Sequence, residues 1–341
     1  MTMNKKILLF AAAALAAVAC GQKSGMTSLT GKFGADAPSQ VHIATASVDT
    51  VLNITDGAFS FKVPVDLLSN AVVETELGQC QFISDGSKLT FDFTGDTPKV
   101  TSSDPASATS RLNAFIEKAN DLAAKIRAEQ DEEKGEALYD QYVDLNKETL
   151  LANKDNFLGL VALQNVYYDL EPADLLDAIA GLAPELQGQQ FVASVKEAAE
   201  AQLKTAEGAM FTDFTIEEED GTKVKLSDYV GKGKYMLVDF WASWCGPCKR
   251  EMPYIKAAYD QFHGPKFDIL SVAVWDEIED TKKAAPEFGI VWNQIVNGQH
   301  IPTDLYGIQG IPHLILFGPD GTILKRGLRG EAIAEELAKY I

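Results

Sequence analysis

Apolar and polar positions alternate in short runs through the first third of the chain. Gln40 to Ala46, Gly57 to Val63, Ala71 to Leu77 and Lys88 to Phe93 follow the two-residue period of strands with one covered face. Turn signals separate them, among them Thr55-Asp56-Gly57, Asp85-Gly86 and Thr94-Gly95-Asp96. Strands this closely spaced predict a small all-β antiparallel sandwich or barrel over residues 29–104. Asp104-Pro105 breaks the pattern, and residues 105–207 read as helical. Leu112, Phe115, Ile116, Ala119, Leu122, Ala123 and Ile126 form an amphipathic stripe, and Asn156 to Tyr168 is apolar on most sides, as a buried helix would be. From 208 to 341 the pattern changes again. A short hairpin around Asp220-Gly221 leads to two near-continuous apolar runs, Tyr235 to Trp241 and Phe267 to Val274, as expected of parallel strands covered on both faces. Helical stretches alternate with them. A last strand pair, His313 to Phe317 and Thr322 to Lys325, turns at Pro319-Asp320-Gly321 before a final helix.

Chemistry concentrates where the first of those runs ends, at VDFWASWCGPCK, Val238 to Lys249. Cys245 falls at the start of a predicted helix, where unpartnered N–H groups and the helix dipole favour a thiolate over a thiol. Pro247 is tolerated there because a first-turn residue needs no donor. Cys248 falls on the same helical face, within reach of a small disulfide ring. Cys245 is expected at the surface as the nucleophile and Cys248 deeper as the resolving thiol. Two other readings of the pair are a structural disulfide and half of a zinc site. Zinc needs four ligands, and no second Cys-x-x-Cys or suitably spaced Cys/His group exists.

With Val-Asp-Phe-Trp-Ala leading into Trp-Cys-Gly-Pro-Cys, residues 208–341 resemble the thioredoxin superfamily, in particular its TlpA/ResA-like extracytoplasmic thiol-disulfide oxidoreductases. The resemblance implies an α/β thioredoxin-like C-terminal domain, with Thr281 to Val296 matching the insertion of that branch. It implies that Asp239, an acid inside an apolar strand, accepts the Cys248 proton; burial alone should push its pKa toward neutrality. It also implies that Pro312 is cis and packs against the dithiol, that Ile311 offers backbone groups to an extended substrate, and that Trp244 flanks the docked chain. His313 is expected to point outward from its strand or to tune the site. Gly246-Pro247 matches the thioredoxin pair, and thioredoxin is a reductant at about −270 mV against about −120 mV for the oxidant DsbA. A disulfide reductase is therefore expected; a disulfide oxidase or dimeric isomerase, and a copper-carrying dithiol protein, are the alternatives. Peroxidase chemistry is disfavoured because Val238 and Ala242 stand where peroxiredoxins have Pro and Thr ahead of the cysteine. No cofactor is expected.

The N-terminus changes the setting. Lys5 and Lys6 precede an apolar stretch too short to span a bilayer, ending Ala17-Val18-Ala19-Cys20-Gly21. Residues 1–19 read as a signal peptide and 20–28 as a polar tether. Ala17-Val18-Ala19 fits an ordinary cleavage site, whereas Cys20 resembles the lipidated cysteine of a bacterial lipobox, with Ala17 where Leu is usual. The β-domain resembles one that precedes TlpA-like domains in exported Gram-negative lipoproteins, so a lipid-anchored periplasmic protein is expected. A reductant there needs a membrane electron donor, and protein dithiols or disulfides are the expected substrates.

With 46% hydrophobic and 23% charged residues the chain is globular in composition, and its 341 residues allow two or three domains. The net charge of −19 argues against nucleic acid, which needs clustered Lys and Arg. Residues 105–207 hold nineteen acids against nine bases. They read as a solvated helical spacer, with homodimerisation through a helical face as a variant. Cys80 shares strand parity with Phe82 and reads as a small buried hydrophobe.

Overall fold

The computed structural model describes residues 25–341. Residues 1–24, which include the stretch read as a signal peptide and Cys20, lie outside the described residues. The chain folds as two compact units: residues up to Leu170 with Ala178–Gln189, and Glu171–Asp177 with Gln190–Ile341.

The first unit opens with eight strands: β1 (Met26–Phe33), β2 (Gln40–Ala44), β3 (Asp49–Asn53), β4 (Ala58–Pro64), β5 (Asp66–Thr75), β6 (Gly78–Ser84), β7 (Lys88–Phe93) and β8 (Lys99–Ser102). They form two four-stranded sheets, β4-β1-β7-β8 and β3-β2-β5-β6. Their inner faces share one core, with Leu29 and Phe91 from one sheet meeting Val41, Val73 and Phe82 from the other, so the domain is a sandwich. The pairings are antiparallel except β1 with β7, which run parallel. The expected antiparallel sandwich thus carries one parallel pair: strands so far apart in sequence pair through a crossover, which alternation within each run does not reveal. β1 also begins at Met26, inside the stretch read as tether. Cys80 and Phe82 are both buried, and burial pushes the Cys80 thiol up to about 11. His42 projects from the polar side of β2 and contacts Asp49 at 2.7 Å.

Helices follow: α1 (Ala108–Ala128), α2 (Glu132–Ala152), α3 (Phe157–Val166), α4 (Pro172–Ala180), α5 (Pro184–Gln187) and α6 (Gln190–Lys204). Ser107 caps α1 through the Ser110 N–H, and Thr109 Oγ1 both accepts from Ile83 N–H and donates to Ile83 C=O, fastening α1 to β6. Leu112 and Phe115 bury their end of the α1 stripe, while Ile116 is exposed. α3 buries nearly every apolar side chain, as its composition requires.

In the second unit, β9 (Thr215–Glu217) and β10 (Lys223–Lys225) form a hairpin. Next come β11 (Tyr235–Trp241), α7 (Gly246–Phe262), β12 (Phe267–Ala273), α8 (Ile278–Glu287), β13 (Asn293–Ile295), α9 (Ile301–Tyr306), β14 (His313–Phe317), β15 (Ile323–Arg326) and α10 (Ala332–Leu337). The sheet order is β13-β12-β11-β14-β15, with β11, β12 and β13 parallel and the last two antiparallel. Strand parity sorts its two faces. Leu237 and Trp241 pack with Met252 and Ile255 of α7 and with Ile333 of α10, whereas Met236, Val238 and Phe240 pack with Tyr306 of α9.

α6 belongs to this second unit, although its sequence lies in the stretch read as a helical spacer. Gly307 ends α9 at φ +62, and a Cβ there would stand 2.3 Å from Ala198 C=O, so glycine lets the two backbones meet. Gln202 Nε2 donates to Gly307 C=O at 2.7 Å, and Arg326 donates to Thr205 C=O and Tyr306 C=O at 2.7 and 2.6 Å.

Candidate active site

β11 delivers the chain to the dithiol. Beyond Trp241 the backbone turns, with Cys245 N–H donating to Ala242 C=O at 3.1 Å, and Cys245 becomes the N-cap of α7. Its carbonyl accepts the Lys249 N–H at 3.1 Å, and its Sγ accepts the Cys248 N–H at 3.0 Å. That second bond is the local counterpart of the helix-terminus argument: a first-turn donor, unpartnered within the helix, is aimed at sulfur. The two cysteines form a disulfide with Cα atoms 5.3 Å apart. Cys248 is fully buried, as expected, but Cys245 is only 3% exposed, not an open surface group. Cys245 belongs to the core cluster that also holds Trp241, Cys248 and Met252. Trp244 is exposed at this end, at 61%, and so are Gly246 and Pro247 between the cysteines.

Asp239 shares strand parity with Leu237 and Trp241, which puts it on the α7 face of the sheet, the face that carries both cysteines. It is completely buried, and burial raises its pKa from 3.8 to about 7. Ser271, its register partner on β12, donates to Oδ2 at 3.3 Å and itself accepts the Trp292 indole N–H at 2.9 Å. Among the described residues Oδ1 has no hydrogen-bond partner. Two charged side chains act on it from other elements. Arg329, in the loop after β15, favours the carboxylate, and Glu251, one turn beyond Cys248 on α7, opposes it.

Ile311–Pro312 is a cis peptide at the mouth of β14. Arg329 donates through Nη2 to the Pro312 carbonyl and through Nη1 to Leu328 C=O, the latter at 2.8 Å, and the next residue's N–H, on Gly330, is bonded to Glu251 Oε1. The loop after β15 thus ties the proline to α7. Burial lowers the Arg329 pKa, and the nearby Glu251 and Asp239 counter that. His313 is opposite Phe240 in register, on the face away from Asp239. Burial, aided by Arg326 and Arg329, pushes its pKa down to about 3. His313 is half-buried there, on the sheet face away from Asp239.

Sequence reasoning missed Arg329, Glu251, Ser271 and Asp276. Arg329 and Glu251 lie in polar stretches that read as ordinary surface. Asp276 had a signal: an acid just past the apolar run of β12, at the sheet end where Cys245 also lies. Among the described residues no group of three or more His, Cys, Asp or Glu side chains is arranged to hold a metal ion, and no helix is long and apolar enough to cross a membrane.

The sheet order and the helix-capped Cys-x-x-Cys define this unit as a thioredoxin-like dithiol domain. Residues 208–326 match the AhpC/TSA family. The chain is 29% identical over 136 residues to thiol-disulfide oxidoreductase ResA of Geobacillus thermodenitrificans, covering 40% of this chain and 76% of that protein. Against ResA of Bacillus subtilis it is 28% identical over 120 residues, covering 35% and 66% respectively. Among solved structures, the thioredoxin domain of a thiol-disulfide oxidoreductase from Bacteroides vulgatus is 36% identical, covering 40% of this chain and 98% of that one at a TM-score of 0.37. A thiol:disulfide interchange protein from a Bacteroides species is 35% identical, covering 40% and 91% at a TM-score of 0.36. The C-terminal region is accordingly a thioredoxin-like domain of the TlpA/ResA kind, and its enzyme class is thiol-disulfide oxidoreductase. Val238 and Ala242, at the peroxiredoxin Pro and Thr positions, are buried and apolar.

Proposed function

We propose that this chain is an extracytoplasmic disulfide reductase, anchored to the periplasmic side of a Gram-negative envelope membrane through lipid on Cys20. The observation that carries the redox part is Cys245 Sγ held by the Cys248 N–H at the start of α7, with a buried acid on the same sheet face. In the reduced enzyme that N–H and the helix dipole stabilise a Cys245 thiolate. The thiolate attacks one sulfur of a substrate disulfide; the other leaves as a thiolate and takes a proton from solvent. Asp239, ionised, then accepts the Cys248 thiol proton, and Cys248 attacks Cys245 Sγ. The bond between Cys245 and the substrate breaks, releasing a second thiolate. The substrate has gained two electrons and the enzyme is left as the Cys245–Cys248 disulfide, the state in this structure. Trp244, Ile311 and Pro312 would line the docked chain. A membrane dithiol donor must return two electrons for the next turnover.

Support for reduction over oxidation comes from Gly246-Pro247, the pair that thioredoxin carries between its cysteines. Trapping with a Cys248→Ala variant tests the roles. Stable mixed disulfides through Cys245 are expected; none, from a protein whose wild type is active, contradicts them. A measured potential near that of DsbA instead of thioredoxin would replace the reductase reading with an oxidase or isomerase.

A further inference from the structure

The loop after β12 holds the two residues ahead of the dithiol, Ser243 and Trp244, in part through an acid that the exchange steps do not use. Asp276 is only 7% exposed. Its carboxylate accepts from Ser243 N–H at 2.6 Å, Ser243 Oγ–H at 2.8 Å, Thr281 Oγ1–H at 2.8 Å and Glu277 N–H at 3.0 Å. Gln299 Nε2 donates to its carbonyl at 2.8 Å. One residue earlier, Trp275 stands at φ +55, a left-handed conformation that bulky side chains rarely adopt. The Trp275 carbonyl accepts the Trp244 indole N–H at 2.9 Å, and its own indole donates to Thr303 Oγ1 at 3.1 Å. Ser243 and Trp244, the two residues before Cys245, are therefore bonded to two consecutive residues of one loop.

We propose that Asp276 is a positioning residue for substrate recognition, fixing Ser243 and the Trp275 backbone so that the exposed Trp244 ring stands as a set docking surface beside Cys245. The proposal rests on the exchange reading above. Its physical basis is a division of contacts. Cys245 takes its own geometry from Ala242 C=O and from the first turn of α7, neither of which Asp276 touches. Trp244 is mostly exposed, so core packing does little to fix it, and its indole is oriented by a carbonyl whose strained residue adjoins the clamped Asp276. Four donors converging on one buried carboxylate are charge-assisted and hold that backbone where strain alone would not. Removing the carboxylate should loosen the platform and leave the sulfur chemistry in place.

The test compares wild type, Asp276→Ala, Asp276→Asn and Ser243→Ala in reduction of insulin and of the small disulfide DTNB. In Asp276→Ala the KM for insulin should rise about tenfold, with kcat and the DTNB rate within about twofold. Asp276→Asn, which keeps an acceptor for the Ser243 N–H, should fall between. Equal loss on both substrates, or no loss on either, overturns the proposal. Should Asp276→Ala not fold, Ser243→Ala decides: a raised insulin KM with an unchanged DTNB rate supports the proposal, and any other pattern overturns it. A wild type that reacts with DTNB but never reduces insulin overturns the exchange reading itself, and the proposal with it.

Discussion

Ser271 Oγ donates to Asp239 Oδ2 at 3.3 Å from the position directly opposite it in the parallel pairing of β11 and β12. One long hydrogen bond is little solvation for a carboxylate removed from water, so the proton is retained up to neutral pH.

The stability of the folded protein should depend on Asp239 in a direction opposite to that of a paired surface acid. Its folded pKa of about 7 lies above the ordinary value of 3.8, so between these values the native state binds more protons than the unfolded chain. Stability is therefore lost as pH rises from about 4 through 7, and the full penalty, on the order of 4 kcal/mol, applies above that. Asp239→Asn should be more stable than wild type at pH 8 and gain nothing at pH 4. Urea unfolding of the oxidised proteins at both pH values checks this; a difference that does not change with pH refutes it.

The same substitution should slow exchange at the resolving step. Mixed-disulfide breakdown in Asp239→Asn should fall by about 100-fold at pH 7, with the first attack by Cys245 little altered. Stopped-flow measurement of the two phases separates them.

Arg329 favours the ionised form of Asp239 while its guanidinium also holds the Pro312 carbonyl. In Arg329→Met the Asp239 carboxyl should titrate further above 7, and Arg329→Lys should restore much of the wild-type value. Carboxyl-carbon NMR of the oxidised protein reads the midpoint directly. A midpoint unmoved in the Met variant would show that the guanidinium does not act on the acid.

Because α6 meets α9 backbone to backbone at Gly307 and receives Arg326 at Thr205, a fragment beginning at residue 208 lacks part of its own fold. A fragment of residues 190–341 should unfold at a higher temperature than one of 208–341, by roughly 8 °C if about 2 kcal/mol of hydrogen bonding and packing is lost. Equal melting temperatures would make α6 an accessory.

Much of the fold and of the site is legible in the sequence. The runs at β7, β11 and β14 have the observed bounds because each is near-continuously apolar or strictly alternating, and β7 and β14 also end at strong turn signals. Cys245, Cys248, Asp239 and Pro312 stood out because each residue type is unusual at its place in the pattern. What stayed hidden depends on long-range geometry. The parallel pairing of β1 with β7 needs a crossover, and the attachment of α6 rests on a glycine and an arginine more than a hundred residues away. Arg329 and Asp276 bear on the site only through loops brought beside it by the sheet. Cys245 reads as open from its place at a helix start, because spacing shows the reach of a sulfur and not the packing around it.

The central claim is that Cys245 is ionised near neutral pH because a helix begins at it. Alkylation of the fully reduced protein, with the modified cysteine identified by mass spectrometry and the rate followed from pH 4 to 10, measures this most directly. A Cys245 midpoint below about 7.5, together with reduction of insulin, is the expected result. A midpoint at about 8.5, where an ordinary free thiol titrates, with insulin left unreduced, would contradict it.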